Sequence, residues 1–273
     1  MNPAAPKSLD ALVERWHRFR ANRDAALAAD HGWLTLTSLQ WLPSRPAPLE
    51  LVPGLWSADG VSSAGGAATL TAAAADGLVF ADSGEPAVGT FTAALADEES
   101  LNWVRYGSTV VELAVRGDRY AVRTRDNASP VLAGFDGVPT FAYNPDLVVA
   151  GRFTAYEQPR QVAIGTSNPQ VGGAATAVGT VEFGLAGRTH TLVAEPEKLG
   201  TLRLTFHDRT NGDTTAGWRQ VVTNRPAADG TVTIDFNRAI NFPSAFTDFG
   251  ICPRPIEGNV VDAPVEAGEK KVR

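Results

Sequence analysis

Sulfur is almost absent from this chain of 273 residues: it carries one cysteine, Cys252, and one methionine. A lone thiol excludes an internal disulfide. Beside only four dispersed histidines, His17, His31, His190 and His207, it cannot supply the closed tetrahedron of a structural zinc site. No apolar run approaches the length of a membrane span, and residues 1–16 lack the charged-then-apolar pattern of an export signal. Basic clusters are also missing. With a net charge of −6, general affinity for nucleic acid is not expected. There is no G-x-S-x-G elbow, no phosphate loop ending in Gly-Lys-Ser/Thr and no dinucleotide fingerprint. The pairs Gly65-Gly66 and Gly172-Gly173 lack a strand-then-helix context and read as loops. No cofactor and no resident metal are therefore expected. The only hard-cation set on offer is Asp208, Asp235 and Asp248. Abundant alanine and glycine with scarce lysine reflect GC-rich, bacterial coding. The expectation is a cytoplasmic protein, with a homodimer as an allowed assembly.

What is present begins with one amphipathic helix. Leu9, Leu12, Val13, Trp16, Phe19 and Leu27 recur at three- and four-residue steps. Ser8 or Asp10 suits its start, and Gly32 suits a left-handed residue after its end. Arg15, Arg18 and Arg23 lie mostly off this stripe and read as a solvated face. Residues 33–42 are too apolar for a loop, and periodicity leaves strand and short helix equally open.

The rest is β-like. Short strands are expected near 68–72, 78–81 and 88–93. A hairpin is expected at 109–125, where Val111, Leu113 and Val115 alternate with polar or small residues and Arg116-Gly117-Asp118 turns the chain. Further strands fall near 147–156 and 160–166, with a hairpin at 177–194. A meander follows at 201–207, 217–223 and 231–237, with Asn211-Gly212 and Asp229-Gly230 as turns. The pattern predicts a mainly β chain: an antiparallel sandwich or barrel-like domain with one N-terminal helix and a long irregular C-terminal segment. Residues 1–31 would be the helix packed on a single β-rich domain, 32–273, whose last part, 238–273, would form a lid.

That last part holds the candidate site. It is irregular yet rich in aromatic and aliphatic residues, so its polar members must find partners. If the meander strands pair in order, alternation puts Thr205, His207, Trp218, Gln220, Asp235 and Asn237 on one face. Gln220 would then lie near Asp235, and Trp218 near Asn237.

The same residues carry a resemblance. The segment from Phe206 through Asp208, Thr210 and Gly212 to Thr214 is similar to the F-x-D-x-T-x-G-x-T segment of the domain-of-unknown-function 1684 family, uncharacterised bacterial and archaeal proteins. Asp235-Phe236-Asn237-Arg238-Ala239, Asn241, Cys252-Pro253, Asn259 and Ala267-Gly268-Glu269-Lys270 resemble that family's tail. Gly32-Trp33-Leu34, Trp41-Leu42 and the strand end at Arg123–Asp126 are similar too, so the likeness runs over most of the chain. It departs at Thr215, where the family usually has an aromatic, at Ile240 for a tyrosine, and at Ser244 for a frequent second cysteine. The resemblance implies neither activity nor ligand.

Two readings of the site compete. In one, a pocket between the meander and the lid binds a small polar or anionic metabolite. Asp235 and His207 would be its acid/base pair, for hydrolytic or isomerising chemistry. Asp208, Trp218, Arg219, Gln220, Asn237, Arg238 and Asn241 would hold the ligand, with Arg219 or Arg238 gripping an anion. In the other, the cluster only anchors the tail of a non-enzymatic module that meets a protein through the helix stripe or through Trp33 and Trp41. Arg238 would then pair with Asp208, and Glu269 with Arg238 or Arg123. Cys252 reads as packed rather than reactive.

Overall fold

The computed structural model describes residues 8–273. The reading of residues 1–16 for an export signal falls partly on residues 1–7, which lie outside the described residues. The protein is mostly antiparallel β with a helix near its N-terminus, as the sequence pattern predicts. No described helix is long and apolar enough to cross a membrane. The chain does not divide into a helix and one β domain. Among the described residues, 27–135 and 247–251 form one compact unit, and 8–26, 136–246 and 252–273 form another.

The first unit opens with a 3-10 turn, Trp33–Thr35, leading into β1 (Leu36–Trp41). The ambiguous apolar stretch is thus a helical turn and then a strand. Gly32 is not left-handed, with φ at −75°; His31 takes that conformation instead, with φ at 52°. Next come β2 (Ala47–Leu49), β3 (Val52–Ala58), β4 (Ala68–Ala72), β5 (Val79–Phe80), β6 (Gly89–Ala93), β7 (Ser100–Tyr106), β8 (Thr109–Arg116) and β9 (Arg119–Asp126). They form two sheets, β1-β9-β8-β7-β5 and β2-β3-β4-β6. Val111, Leu113 and Val115, alternating along β8, pack in one core with Trp56 and Leu70 of the other sheet. Trp56 meets Trp103 edge-on at 5.7 Å. Burying each such side chain contributes about 1.5–3 kcal/mol, and the result is a sandwich. At the β8–β9 turn Gly117 and Asp118 both take positive φ, 57° and 64°, which suits a tight hairpin. The Asp118 carboxylate accepts the Ser63 N–H, so Arg116-Gly117-Asp118 serves as a turn.

The opposite face of β8 holds Glu112, buried beside Arg123 and Arg125. Arg125 Nε donates to it at 2.6 Å, and Arg123 Nη1 lies 3.7 Å away. Burial pushes the Glu112 carboxyl up. The charges of the two guanidiniums, with hydrogen bonds from Arg125 and Ser100, outweigh this and hold it below its ordinary value. A depressed folded-state pKa gives stability that is present above the unfolded value, near 4.5, and lost as pH falls through the folded value. Acid titration should therefore destabilise the wild type more than Glu112→Gln below about pH 4.5. Equal acid-unfolding midpoints, followed by tryptophan fluorescence, would contradict this.

In the second unit, α1 (Leu9–Leu27, all but its last residue) is capped by Ser8, whose Oγ accepts the Ala11 N–H at 3.3 Å. The strands are β10 (Val148–Ile164), β11 (Gly173–Leu185), β12 (Arg188–Pro196), β13 (Leu202–Asp208), β14 (Arg219–Val222), β15 (Thr231–Asp235), β16 (Ile240–Asn241) and β17 (Val260–Val261). Their order is β15-β10-β11-β12-β13-β14-β16, with β17 added parallel to β13. The two strands expected near 147–156 and 160–166 are one long strand. Its register shifts between Ala155 and Arg160, where Pro159 sits.

The meander does not pair in order. β13 and β14 do pair, but β15 lies along β10, with Asp235 opposite Val148. The physical reason is the connection at 223–230, which contains Pro226 and is far longer than the two-residue loop of a tight hairpin. The β14 and β15 ends still approach, since Asn224 Oδ1 accepts the Thr233 N–H. The sheet is thereby curled into a half-barrel around Leu204, Phe206, Ile234, Phe236 and Val265.

Candidate functional site

The C-terminal segment is docked, and buried charge holds it. The Glu269 side chain is fully buried. One carboxylate oxygen accepts Arg20 Nη1 at 2.8 Å and Arg23 Nε at 3.1 Å, and the other accepts the Asn241 N–H at 2.6 Å. The partners of Glu269 are therefore arginines of α1, not Arg238 or Arg123. Arg23, read from sequence as solvated, points inward because it lies two turns after Trp16 on the same helix face. Arg219 is also fully buried. It donates to Asp208 at 2.9 Å, to the Val265 carbonyl at 2.8 Å, and to the carbonyls of Ala267 and Glu269. Asp208 further accepts the Thr210 N–H at 2.8 Å and Asn211 Nδ2 at 3.2 Å. Asp208 thus pairs with Arg219 rather than Arg238, and neither Asp208 nor Arg219 is free to hold a ligand. Gly268 is required where it stands: its φ is 73°, and a Cβ there would collide with the Ala239 carbonyl.

Asn237 and Asn241 are anchors too. Asn237 Oδ1 accepts the Asn144 N–H at 2.8 Å, and its Nδ2 donates to the Asn144 carbonyl at 2.8 Å, fixing the loop before β10. Asn241 Nδ2 donates to the Lys270 carbonyl at 2.8 Å. Gln220 lies opposite Thr205 and Ile240, not near Asp235. His207 Nδ1 lies 2.8 Å from the Gly217 carbonyl, on a strand whose ladder neighbours do not include that of Asp235. The expected acid/base pair is not assembled. Among the described residues no cluster of carboxylates brings Asp208, Asp235 and Asp248 together around a cation. Cys252 is buried.

Two clefts divide what remains. One, of about 240 Å³, lies between the start of β14 and the C-terminal segment, with Trp218, Phe242, Ser244 and Arg254 on its walls. Trp218 Nε1 donates to the Pro253 carbonyl at 3.0 Å, and the Arg254 guanidinium lies 5.2 Å from its ring.

The other, of about 310 Å³, lies among α1, the loop before β10, and the β14 and β15 ends. Leu12, Trp16, Tyr143, Pro145, Val148 and Val222 give it an apolar surface, and Arg15, Arg238 and Asp235 give it charge. Of the expected lid only Arg238 lines it; the wall facing the strands is α1. Trp16 holds that wall by donating to the Asn237 carbonyl at 3.0 Å. Arg238 lies over the Phe19 ring at 4.5 Å. Neither Arg238 nor Arg15 makes an ion pair or hydrogen bond among the described residues. Asp235 Oδ1 accepts the N–H and Nδ2 of Asn237 at 3.1 and 3.0 Å, which leaves Oδ2 open. Burial and the Asp235 charge raise the Tyr143 pKa against the pull of both arginines, so its hydroxyl stays a donor at neutral pH.

Asp235 and Arg238 were legible as site residues. Arg15, Trp16 and Tyr143 were not. The arginine sits on a helix flank where solvation is the default, and Tyr143 lies in a loop without periodicity.

A family model described as a protein of unknown function (DUF1684) matches residues 133–270. A solution NMR structure of an uncharacterized protein from Haloarcula marismortui is 31% identical, over 50% of this chain and 78% of that one, with a TM-score of 0.43. No curated protein matches.

Proposed function

Because this chain belongs to the DUF1684 family, whose description names no activity, we propose from its own geometry that the cleft beside α1 binds a small anionic metabolite. One observation carries this reading. Two guanidiniums, Arg238 and Arg15, border a cleft of about 310 Å³ with no carboxylate paired to either. Elsewhere in the same unit a buried arginine has its charge met by a carboxylate, as Arg219 has by Asp208. Arg15 is exposed, but Arg238 is half-buried, and a half-buried cation left without a counter-ion is a place for an external one. The volume is at the small end of ligand sites, which suits a compact metabolite rather than a dinucleotide. Apolar walls at Leu12, Trp16 and Val148 favour a ligand with a hydrocarbon body.

The reading is one of binding, without the acid/base pair that chemistry would need. The alternative, a module meeting a protein through the helix stripe and tryptophans, has less support. Trp16 is used internally. Trp33 and Trp41 are half-buried, covered by the guanidiniums of Arg125 and Arg119 at 5.0 and 4.3 Å.

Phenylpropionate, an anion with a compact apolar body, is a suitable probe. Arg238→Ala should weaken its binding about tenfold or more, the equivalent of losing a charge-assisted hydrogen bond of about 1.5–3 kcal/mol. Calorimetric titration measures the effect. Unchanged affinity in Arg238→Ala, with Arg15→Ala equally silent, would remove the reading.

A further inference from the structure

We infer that the natural ligand of this cleft is zwitterionic: an anionic group for Arg238 and Arg15, and an ammonium for Asp235, on a small apolar body. The inference rests on the anion-binding reading and adds the ligand's second charge.

It follows from opposite charges that share a cleft without meeting. Asp235 and Arg238 are three residues apart and line the same space, as does Arg15. Yet no N–O pair between Asp235 and either arginine comes within 4.0 Å. The clamp on Oδ1 explains why. The N–H and Nδ2 of Asn237 both donate to it, and Asn237 is itself fixed to Asn144. Asp235 therefore cannot swing to Arg238, which instead lies over Phe19. Its second oxygen is left as an acceptor without a donor among the described residues, on a side chain that lines the cleft. A purely anionic ligand would leave that carboxylate desolvated and facing negative charge. A ligand with a positive end removes both penalties. Tyr143, which lines the same cleft, adds a neutral donor. The apolar side of the cleft, Trp16 and Val148, takes the ligand body. An amino-carboxylate and an aminoalkyl phosphate share this chemistry.

Three probes of one shape separate the charges: phenylalanine, phenylpropionate without the ammonium, and phenylethylamine without the carboxylate. Calorimetric titration of the purified full chain should rank phenylalanine first, about tenfold tighter than phenylpropionate. In Asp235→Asn, which keeps the Oδ1 acceptor and the fold, that advantage should vanish while phenylpropionate binds as before or better. Aminoethyl phosphate, compared with ethyl phosphate, extends the test to the phosphate head. If phenylpropionate equals phenylalanine in wild type and both need Arg238, the anion site stands and the zwitterion inference fails. If phenylethylamine binds best, or none of the probes binds, both readings fail.

Discussion

Glu269→Ala should lower the stability of the folded chain by about 3–5 kcal/mol, the usual cost of removing one partner from a buried ion pair. Glu269 is buried completely and serves three donors: Arg20, Arg23 and the Asn241 N–H. Its loss leaves Arg20, on a side chain only 8% exposed, with the longer Asp24 contact at 3.4 Å, and Arg23 with no carboxylate. It also removes one of the links between α1 and the segment around β16, leaving the bond from Arg23 Nη2 to the Asn241 carbonyl. Glu269→Gln keeps one acceptor for the Asn241 N–H and should cost less. Denaturant midpoints at constant slope separate the two variants. A Glu269→Ala midpoint indistinguishable from wild type would mean that the network is dispensable. Because α1 forms one wall of the cleft, the same variant should also weaken probe binding.

Arg219→Met should destabilise by a similar amount, about 3–5 kcal/mol. For a unit of this size that is roughly 10 °C in melting temperature. The guanidinium meets Asp208 and three carbonyls of the C-terminal segment, Val265, Ala267 and Glu269, all away from water. Methionine fills much of the volume and satisfies none of the four. The diagnostic is a double variant. Asp208→Leu with Arg219→Met removes the stranded carboxylate and should recover part of the loss, because the two sites are coupled. Strictly additive losses would show that the pair itself contributes nothing.

How far the sequence could be read depended on how local the governing interaction is. The β8–β9 hairpin was legible because alternation and a two-residue turn specify it within one short stretch. β4 and β6 were also legible, but β2, β3 and β7 were not: residues 43–100 are rich in Pro, Gly and Ala, and β7 has a register shift between Asn102 and Val104 that breaks its period. The pairing of β15 was misread because it is decided by β10, some eighty residues earlier in the chain. Asp235 and Arg238 could be singled out, yet their partners could not. The structural network takes Asp208, Arg219, Asn237 and Asn241, leaving Asp235 and Arg238 for the cleft. Arg20 escaped notice and Arg23 was misread as solvated because an apolar stripe shows only the apolar half of a buried helix face. Their place was encoded as spacing from Trp16, and only a buried carboxylate far along the chain gives that spacing meaning.

The bond between Arg20 and Glu269 spans 249 positions. During synthesis α1 is made long before Glu269, with the segment 27–135 that forms the sandwich in between. An unpartnered helix of this length is marginal in water. The half-barrel unit therefore completes late, by closing a very long loop, while the sandwich lying between its segments can form beforehand from nearer contacts. Quality control would thus act chiefly on nascent chains whose β strands are made but whose helix is still undocked.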